Sequence, residues 1–387
     1  MAEGGMRNSE GGKSVEKRTA EQQNIEPQNF EELVEQGIFY MEKITGRVKD
    51  LAKCYGAGVV GIVTSEMLAG GPPSTDLTYV LPNAKSAVSF AVPLDQKFIE
   101  PWFNKQNQAD HLRNNIRTNV IASGISLELA NYLSQKGYPS LPLTANFAYR
   151  AESKNGRYDE MPPISHRYLA VRSGAGFFGL SGNVLTRKDG AAIILGSVVT
   201  EAKLIPTGPI PAEQNYCDDC RLCKAACASG FIDGEERVTV TMGGIDFSYS
   251  KKRHHSRCDF VCGGFTGLHA SGKWSTWSPG RFSIPDKDED FYTALVDSVG
   301  PFLKRPKTEL AVFNTIMPGD RVELTCGNCQ LICHPDKEIR KKRYKMLTKS
   351  GVIVENSDGS REAVSAEEAK KRLTAMDPET RALYEEV

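Results

Sequence analysis

The 387-residue chain lacks the features that would assign it to several broad classes of protein. Lys and Arg together equal Asp and Glu, at 48 each, so no net charge attracts nucleic acid or an anionic membrane. No apolar run approaches the length of about 18 residues that a membrane helix needs, so we expect no membrane-spanning segment. The composition therefore predicts neither a membrane protein nor a nucleic-acid-binding protein.

The N-terminal segment also lacks the features of an export signal. Residues 1–27 are polar and Gly-rich, with no apolar core and no pair of consecutive arginines. Such a composition predicts a disordered lead-in. Without an export signal we expect a cytoplasmic protein in a reducing compartment, where its ten cysteines bind metal rather than form disulfides.

Cysteine is the residue that the chain does have in an informative pattern. Four thiols fall within YCDDCRLCKAACASGFI, at Cys217, Cys220, Cys223 and Cys227. Their spacing is that of the bacterial iron-sulfur run, in which the first three thiolates bind one 4Fe-4S cluster and the fourth binds a different cluster. The run therefore predicts a second group of cysteines elsewhere in the chain.

A second group does lie further along, in CGNCQLICHP, at Cys326, Cys329 and Cys333. In two-cluster proteins the last thiolate of each run crosses to the other cluster. This exchange of the last ligands predicts one cluster on Cys217, Cys220, Cys223 and Cys333. The other cluster would have Cys227, Cys326 and Cys329 among its ligands.

The second cluster is one thiolate short, and two cysteines between the runs are candidates to complete it. Cys258 and Cys262 both lie in RCDFVCGGFTG. Cys262 is the preferred ligand, because Gly263 and Gly264 leave the backbone free to turn amide groups toward a cluster. Zinc is the main alternative metal, since thiolate pairs spaced CxxC also suit a tetrahedral site. The interlocked pattern, with no His at finger spacing, favours iron-sulfur clusters.

Upstream of the cysteines, helical and strand-like patterns alternate. Apolar residues at spacings of three and four predict helices over 30–54 and 114–135, with a short helix over 168–175. β-branched segments bounded by turn residues predict strands over 56–64, 87–92, 141–147 and 191–199. This alternation predicts an α/β layer domain. The Pro-rich link at 204–214 then leads into the cysteine region as a stiff connection.

Several segments together resemble one known superfamily. They are PNAKSAVSFAVP at 82–93, RSGAGFFG at 172–179, DGAAIILGSVVTEAKL at 189–204 and the two cysteine runs that follow. These segments are similar to the cobalamin-dependent iron-sulfur reductases, the superfamily of epoxyqueuosine reductase and the reductive dehalogenases. The cysteine runs alone occur in many ferredoxin-like modules, so the glycine-aromatic segment before them makes the resemblance selective. It covers roughly residues 30–340.

The resemblance implies an α+β protein built from two main domains. A nitroreductase-like α/β domain at 28–205 would hold base-off cobalamin and the substrate, and a ferredoxin-like domain at 206–340, with an insertion at 234–320, would hold two 4Fe-4S clusters. A helical polar tail at 341–387 would follow. The sequence agrees that no His is presented to cobalt, because Asp110 is followed directly by His111 instead of the spacing Asp-x-His-x-x-Gly. The cofactor-binding residues implied are Arg172, Gly174, Gly176, Phe177 and Gly190.

The resemblance also implies a proton donor near the cobalt. In epoxyqueuosine reductases an Asp stands twelve residues before the Arg of the Arg-Ala-Gly segment, and here that position holds Glu160. We therefore predict Glu160 as the catalytic acid, with Tyr158, Asp159 and His166 as alternative donors. The alternative without catalysis is that Asp159 and Glu160 are a solvated pair in a loop.

Two later segments leave alternatives open. Trp274 and Trp277 in LHASGKWSTWSPGRF suit either a lid over a pocket or a local plug beneath a long loop. The basic run KEIRKKRYKMLTK after His334 is typical of a solvated helix face, and no helical repeat follows it.

These observations predict a cobalamin-dependent iron-sulfur oxidoreductase that takes electrons from a donor protein such as a ferredoxin or flavodoxin. A small organic substrate, reduced as in the reductive dehalogenases, is the favoured prediction. Epoxyqueuosine reduction on tRNA is an alternative, and so is a non-catalytic role in electron transfer or corrinoid reduction. Nucleic acid is not expected as a partner.

Overall fold

The computed structural model describes residues 27–143, 149–306 and 324–386, with side chains from residue 37 onward except that of Tyr158. The predicted disordered lead-in lies outside these residues, apart from Pro27, which begins a helix. The described residues fall into two units that divide between Tyr40 and Met41. Every site described below lies in the second unit, and the predicted boundary between residues 205 and 206 falls inside it.

The described residues form a mixed α/β fold. Its helices are α1 Pro27–Cys54, α2 Ser65–Leu68, α3 Ile99–Phe103, α4 Ala109–Gln135, α5 His166–Arg172, α6 Leu222–Ala225, α7 Ser256–Cys262, α8 Phe291–Leu303, α9 Asn328–Leu331, α10 Lys337–Lys349, α11 Ala366–Thr374 and α12 Pro378–Arg381. Its strands are β1 Val59–Thr64, β2 Ser86–Pro93, β3 Ser140–Leu143, β4 Phe177–Phe178, β5 Val184–Leu185, β6 Ile193–Thr200, β7 Ile232–Met242, β8 Ile245–Lys252, β9 Val352–Glu355 and β10 Arg361–Val364.

The central sheet has the strand order β1-β2-β6-β3, with antiparallel neighbours. Strand β2 is buried along almost its whole length, because β1 and β6 flank it and both faces of the sheet are covered. Its register pairs Val88 with Ile62 on one side and with Val198 on the other. The strands predicted at 56–64, 87–92 and 191–199 are confirmed. That predicted at 141–147 begins as β3, and residues 144–148 lie outside the described part.

Two apolar layers cover the faces of this sheet. On one face, Val48 of α1 and Leu129 of α4 pack on Phe90 of β2. On the other, Leu169 of α5 packs with Met242 and Tyr249 of the β7–β8 hairpin. Full burial of such side chains contributes roughly 1.5–3 kcal/mol each, so the two layers fix the strands that lead to the cysteine region.

The β7–β8 hairpin is an element that the sequence analysis missed, although it lies in the predicted insertion. Arg172, at the end of α5, anchors it, since its Nε donates hydrogen bonds to the carbonyl oxygens of Met67 and Met242. The C-terminal segment was expected to be helical, and it also contains the β9–β10 hairpin. A usable signal was present in β7, where Val238, Val240 and Met242 alternate with threonines. The signal was weak in β10, which is short and has no buried residue.

Trp274 and Trp277 are buried, and Trp277 donates its indole N–H to the carbonyl oxygen of Trp102 at 3.2 Å. They form an internal plug, as one of the two interpretations predicted. Within the described residues, no helix has the length and apolar character needed to cross a bilayer.

Candidate metal and catalytic site

The first group of thiols surrounds a small cavity. Cys217, Cys220, Cys223 and Cys333 line a space of about 20 Å³, where α6 packs against α9. Burial, reinforced by the neighbouring thiols, raises the pKa of Cys223 and that of Cys333 to about 12. Thiolates held this close repel one another unless a cation compensates their charge, so the arrangement suits a metal cluster. It is the grouping that the crossed cysteine runs predicted.

The second group of thiols lines a larger cavity of about 420 Å³. Its members are Cys227, Cys258, Cys262, Cys326 and Cys329. Helix α7 carries Cys258 and Cys262 four residues apart, which puts them on one face with their Sγ atoms 3.7 Å from each other. The structure therefore brings five thiols to a site where a 4Fe-4S cluster needs four.

Both candidates for the missing ligand belong to this second group, and they differ in their neighbours. The charge on Cys258 acts on both Cys227 and Cys329. Cys262 interacts instead with Cys258 and Cys326, and its hydrogen bond lowers the pKa of Cys326 to about 7. Cys258 therefore interacts with two of the other thiols of the group and Cys262 with a third, and the preference for Cys262 stays an untested prediction.

One short loop contacts both groups of thiols. It connects β4 to β5 and spans residues 179–183. The backbone N–H of Leu180 donates to Sγ of Cys217 at 3.2 Å, and the side-chain amide of Asn183 lies 3.8 Å from Sγ of Cys329. Donors beside ligating sulfurs orient the ligands and change the redox potential of a cluster.

Beside the second cavity lies a cluster of three ionisable side chains, Glu160, His255 and Asp259. His255 precedes α7, and its Nδ1 forms an ion pair with Glu160 and lies 3.0 Å from a carboxylate oxygen of Asp259. Burial alone would lower the pKa of His255, but hydrogen bonds to Asp259 and Glu160 raise it to about 10. The imidazole is therefore protonated at neutral pH, and the cluster stores a proton at the edge of the cavity.

Glu160 itself occupies an unusual backbone conformation. It comes directly after a single turn of 3-10 helix, Gly156–Asp159. The φ of Glu160 is 49°, in the left-handed region. Burial raises the pKa of Glu160, while His255 opposes this shift. A non-glycine residue in this region of φ costs of order 1–3 kcal/mol and is concentrated at functional sites. The carboxylate of Asp159, by contrast, accepts hydrogen bonds from Asn155 within the same loop. This agrees with the alternative in which Asp159 is a loop residue without a catalytic role.

The rest of the cavity combines an apolar wall with polar groups. Ile193, Ile194 and Leu195 of β6 form part of the wall, and Tyr149 and Arg167 also line the cavity. Burial raises the pKa of Tyr149 to about 12, with the charges of Glu160 and Asp259 adding to the shift. Among the described residues that line the cavity, His255 carries the one imidazole, and that ring is already bonded to carboxylates.

The alternative donors occupy other positions. His166 is buried, with its Nδ1 2.9 Å from the hydroxyl of Ser197, and it is absent from the described lining of the cavity. The side chain of Tyr158 lies outside the described part of the structure. Of the predicted acids, Glu160 alone lies in the ionisable cluster beside the cavity.

The five predicted cofactor-binding residues have packing roles in the structure, and none is among the described residues that line the second cavity. A Cβ on Gly174 would collide with the backbone carbonyl of Gly208, and a Cβ on Gly190 would collide with that of Cys333. Arg172 is bonded to two carbonyls, as described above. Gly176 and Phe177 line a separate groove of about 360 Å³. Glycine permits close approach of another chain segment as readily as of a cofactor, so their contact with cobalamin stays an untested prediction.

Sequence reasoning missed Tyr149, His255 and Asp259. A usable signal was present in HHSRCDFVC, where His255 and Asp259 stand four residues apart and the second of them adjoins Cys258. On a helix this spacing places the two side chains together, beside a candidate cluster ligand.

The sequence matches curated proteins named epoxyqueuosine reductase. One, from Atelocyanobacterium thalassa, is 27% identical over 161 residues, which is 42% of this chain and 47% of the relative. Another, from Alicycliphilus denitrificans, is 32% identical over 81 residues, 21% of this chain and 22% of the relative. Part of the chain is thus similar in sequence to epoxyqueuosine reductases. The resemblance to the cobalamin-dependent iron-sulfur reductase superfamily is thus confirmed, although the match spans about half the length of the first relative or less.

Comparison with solved structures gives weaker likenesses. An epoxyqueuosine reductase solved with a modified tRNA stem loop is 15% identical, with a TM-score of 0.40, over 87% of this chain and 73% of that one. A catabolic reductive dehalogenase is 17% identical, with a TM-score of 0.43, over 64% of this chain and 33% of that one. No protein-family model matches the sequence.

Proposed function

We propose that this epoxyqueuosine reductase relative is an oxidoreductase in which two 4Fe-4S clusters supply electrons to base-off cobalamin and a substrate in the second cavity. The observation that carries the proposal is the composition of that cavity. Its lining includes the second group of thiols, the imidazolium of His255 and the phenol of Tyr149, and Glu160 is bonded to His255. A bound cluster and a proton source would therefore meet at one place.

The residues present fit the proposed groups. Four thiols around the first cavity and five around the second suit two iron-sulfur clusters, because cysteine thiolates are the usual ligands of both. The apolar wall from β6 suits one face of a flat macrocycle. The second cavity opens to solvent, so a cofactor larger than about 420 Å³ can bind with part of its structure outside.

The chain's own residues would divide the work between electrons and protons. The first group of thiols would hold the cluster that accepts electrons from a donor protein such as a ferredoxin or flavodoxin. The second group would hold the cluster that faces the cavity. When bound, cobalamin supplies a strongly reducing metal centre. Glu160 and His255 would hold the proton that the reduced product requires, and Asp259 would keep His255 protonated and oriented.

For the substrate, the names of the curated relatives favour epoxyqueuosine in tRNA, the alternative that the sequence analysis ranked second. We therefore propose it as the first substrate to test.

A small organic substrate remains the second candidate, and the charges on α10 favour it. Several cations of this helix are paired with acids of the chain: Lys337 and Arg340 with Asp218, Lys341 with Glu338, and Lys342 with Glu100. They are thereby less available for a phosphate backbone.

The decisive experiment is metal analysis and turnover on anaerobically purified protein. About eight irons and one cobalt per chain are expected. Turnover should then be measured on a tRNA stem loop that carries epoxyqueuosine and, separately, on a small organohalide. Activity on the first supports epoxyqueuosine reduction, and activity on the second alone supports the small-molecule alternative. Zinc in place of iron would overturn the proposal.

A further inference from the structure

The first cavity contains a buried cation that comes from outside both cysteine runs. Arg340 lies on α10 and lines this cavity together with the four thiols. Its side chain is only 5% exposed. Its Nη1 lies 3.5 Å from Sγ of Cys220 and 2.8 Å from a carboxylate oxygen of Asp218. A guanidinium is therefore held in contact with a proposed cluster ligand.

The nearby acid does not neutralise this cation on its own. Asp218 is shared between two cations, since Lys337 binds its other oxygen at 2.7 Å. Two positive charges on one carboxylate leave one in excess beside Cys220. The Nε of Arg340 is also buried and has no hydrogen-bond partner among the described residues. The guanidinium thus has more charge and more donors than its protein neighbours use.

The aromatic ring of Tyr216 helps to fix the position of this charge. The guanidinium carbon of Arg340 lies 6.0 Å from the centre of the ring. Tyr216 in turn donates its hydroxyl to the carbonyl oxygen of Thr186 at 3.1 Å. The cation is therefore held between a carboxylate, an aromatic ring and a thiol.

We propose that Arg340 is a positioning residue that raises the reduction potential of the first cluster through its contact with Cys220. This inference rests on the proposed function, because it requires a cluster on the first group of thiols. Reduction adds a negative charge to a cluster. A buried cation beside a ligating sulfur stabilises the reduced form more than the oxidised form, since local charge and hydrogen bonds to sulfur set the potential. Arg340 would thus make the first cluster a better electron acceptor.

The test is a redox titration of the full chain, monitored by electron paramagnetic resonance after anaerobic purification. Arg340→Gln should lower the reduction potential of the first cluster by at least about 59 mV. For one electron, this corresponds to a tenfold change in the equilibrium constant of reduction. Arg340→Lys should give a smaller shift in the same direction, because lysine retains the charge without the fork of donors. The second cluster should keep its potential in both variants.

The matched control is Lys337→Gln. It removes a cation from the same carboxylate on the same helix, but Lys337 is exposed and Arg340 makes the thiol contact. Its effect on the potential should be smaller than that of either Arg340 variant. Asp218 keeps one cation in both glutamine variants.

The outcomes separate the inference from the proposed function. If Arg340→Gln contains two clusters and the reduction potential of the first is unchanged, the role of Arg340 is overturned and the proposed function stands. A wild-type protein without iron overturns the proposed function itself, and the inference with it. If Arg340→Gln loads no first cluster, Arg340→Lys decides: a negative shift supports the role, and a wild-type potential overturns it.

Discussion

The two groups of thiols differ in what surrounds them. The first lines a cavity of about 20 Å³ with Arg340 at its edge, and the second lines one of about 420 Å³ beside His255 and Glu160. A small site next to a fixed cation suits the storage and relay of electrons. A large site next to stored protons suits chemistry on a ligand. Although the cysteine runs look alike in sequence, their surroundings indicate different tasks.

The largest effect that tests this comparison is expected from Cys326→Ser. Loss of a ligand at the second site should remove one cluster, about half of the iron, and abolish turnover, while the first cluster keeps its spectroscopic signal. Cys54→Ser is the matched control, because Cys54 is exposed and lies outside both groups. Full iron content and full activity in Cys326→Ser would contradict the assignment of the second site.

A second prediction tests which cysteine is the fourth ligand at the second site. If Cys258 is the fourth ligand, as its electrostatic interaction with Cys227 and Cys329 favours, Cys258→Ser should lose the second cluster. Cys262→Ser should then retain it with a changed potential, because Cys262 hydrogen-bonds to Cys326. Iron content and the number of spectroscopic signals measure both variants. The opposite result would support the preference for Cys262 drawn from the glycines that follow it.

A third prediction concerns the proton source that distinguishes the second site. Glu160→Gln should lower kcat by roughly 10²- to 10⁴-fold, the usual contribution of a positioned acid, with iron and cobalt content unchanged. Glu152→Gln is the control, since this exposed acid belongs to the same loop region but contacts Tyr79 and Arg150. Unchanged turnover in Glu160→Gln would remove this residue from the mechanism.

The smallest effect is expected where the two sites share a core. Trp102 lies in an apolar cluster against which both Cys223 and Cys326 pack, and the ring of His111 lies 4.7 Å from that of Trp102. Burial lowers the pKa of His111 from 6.5 to about 4. The folded state therefore holds His111 neutral, while the unfolded chain binds a proton below pH 6.5. Stability should be full above that pH and fall by about 3 kcal/mol as the pH approaches 4.

Chemical denaturation at several pH values, compared with His111→Gln, measures this contribution. The variant should be less stable at neutral pH, because it loses ring packing, but its stability should depend less on pH. A parallel pH dependence in the two proteins would assign the effect to other groups. Because both sites contact this core, iron should leave both groups of thiols together as the pH falls.

Local patterns account for what the sequence could predict. The spacing of Cys217, Cys220 and Cys223 is typical of cluster ligands, so the grouping of the thiols could be predicted, including the return of Cys333. The strands β1, β2 and β6 were readable because their β-branched runs are buried on both faces. In each case the information lies in a short stretch of chain.

What could not be predicted depends on contacts between distant segments. Glu160 meets His255 only because the fold brings its turn to the start of α7, and nothing near Glu160 in the sequence signals this. The contact of Arg340 with Cys220 has the same origin. Glycines such as Gly190 correctly indicated close approach, but the neighbour is the backbone of Cys333.

Helix α7 carries Cys258, Asp259 and Cys262 on a single rigid segment, with His255 at its N-terminal end. Metal bound to its cysteines would fix the rotation of this helix about its axis. The same rotation sets the distance between His255 and Glu160. A variant that rotates α7 would therefore disturb the proton donor and the proposed cluster ligands at the same time.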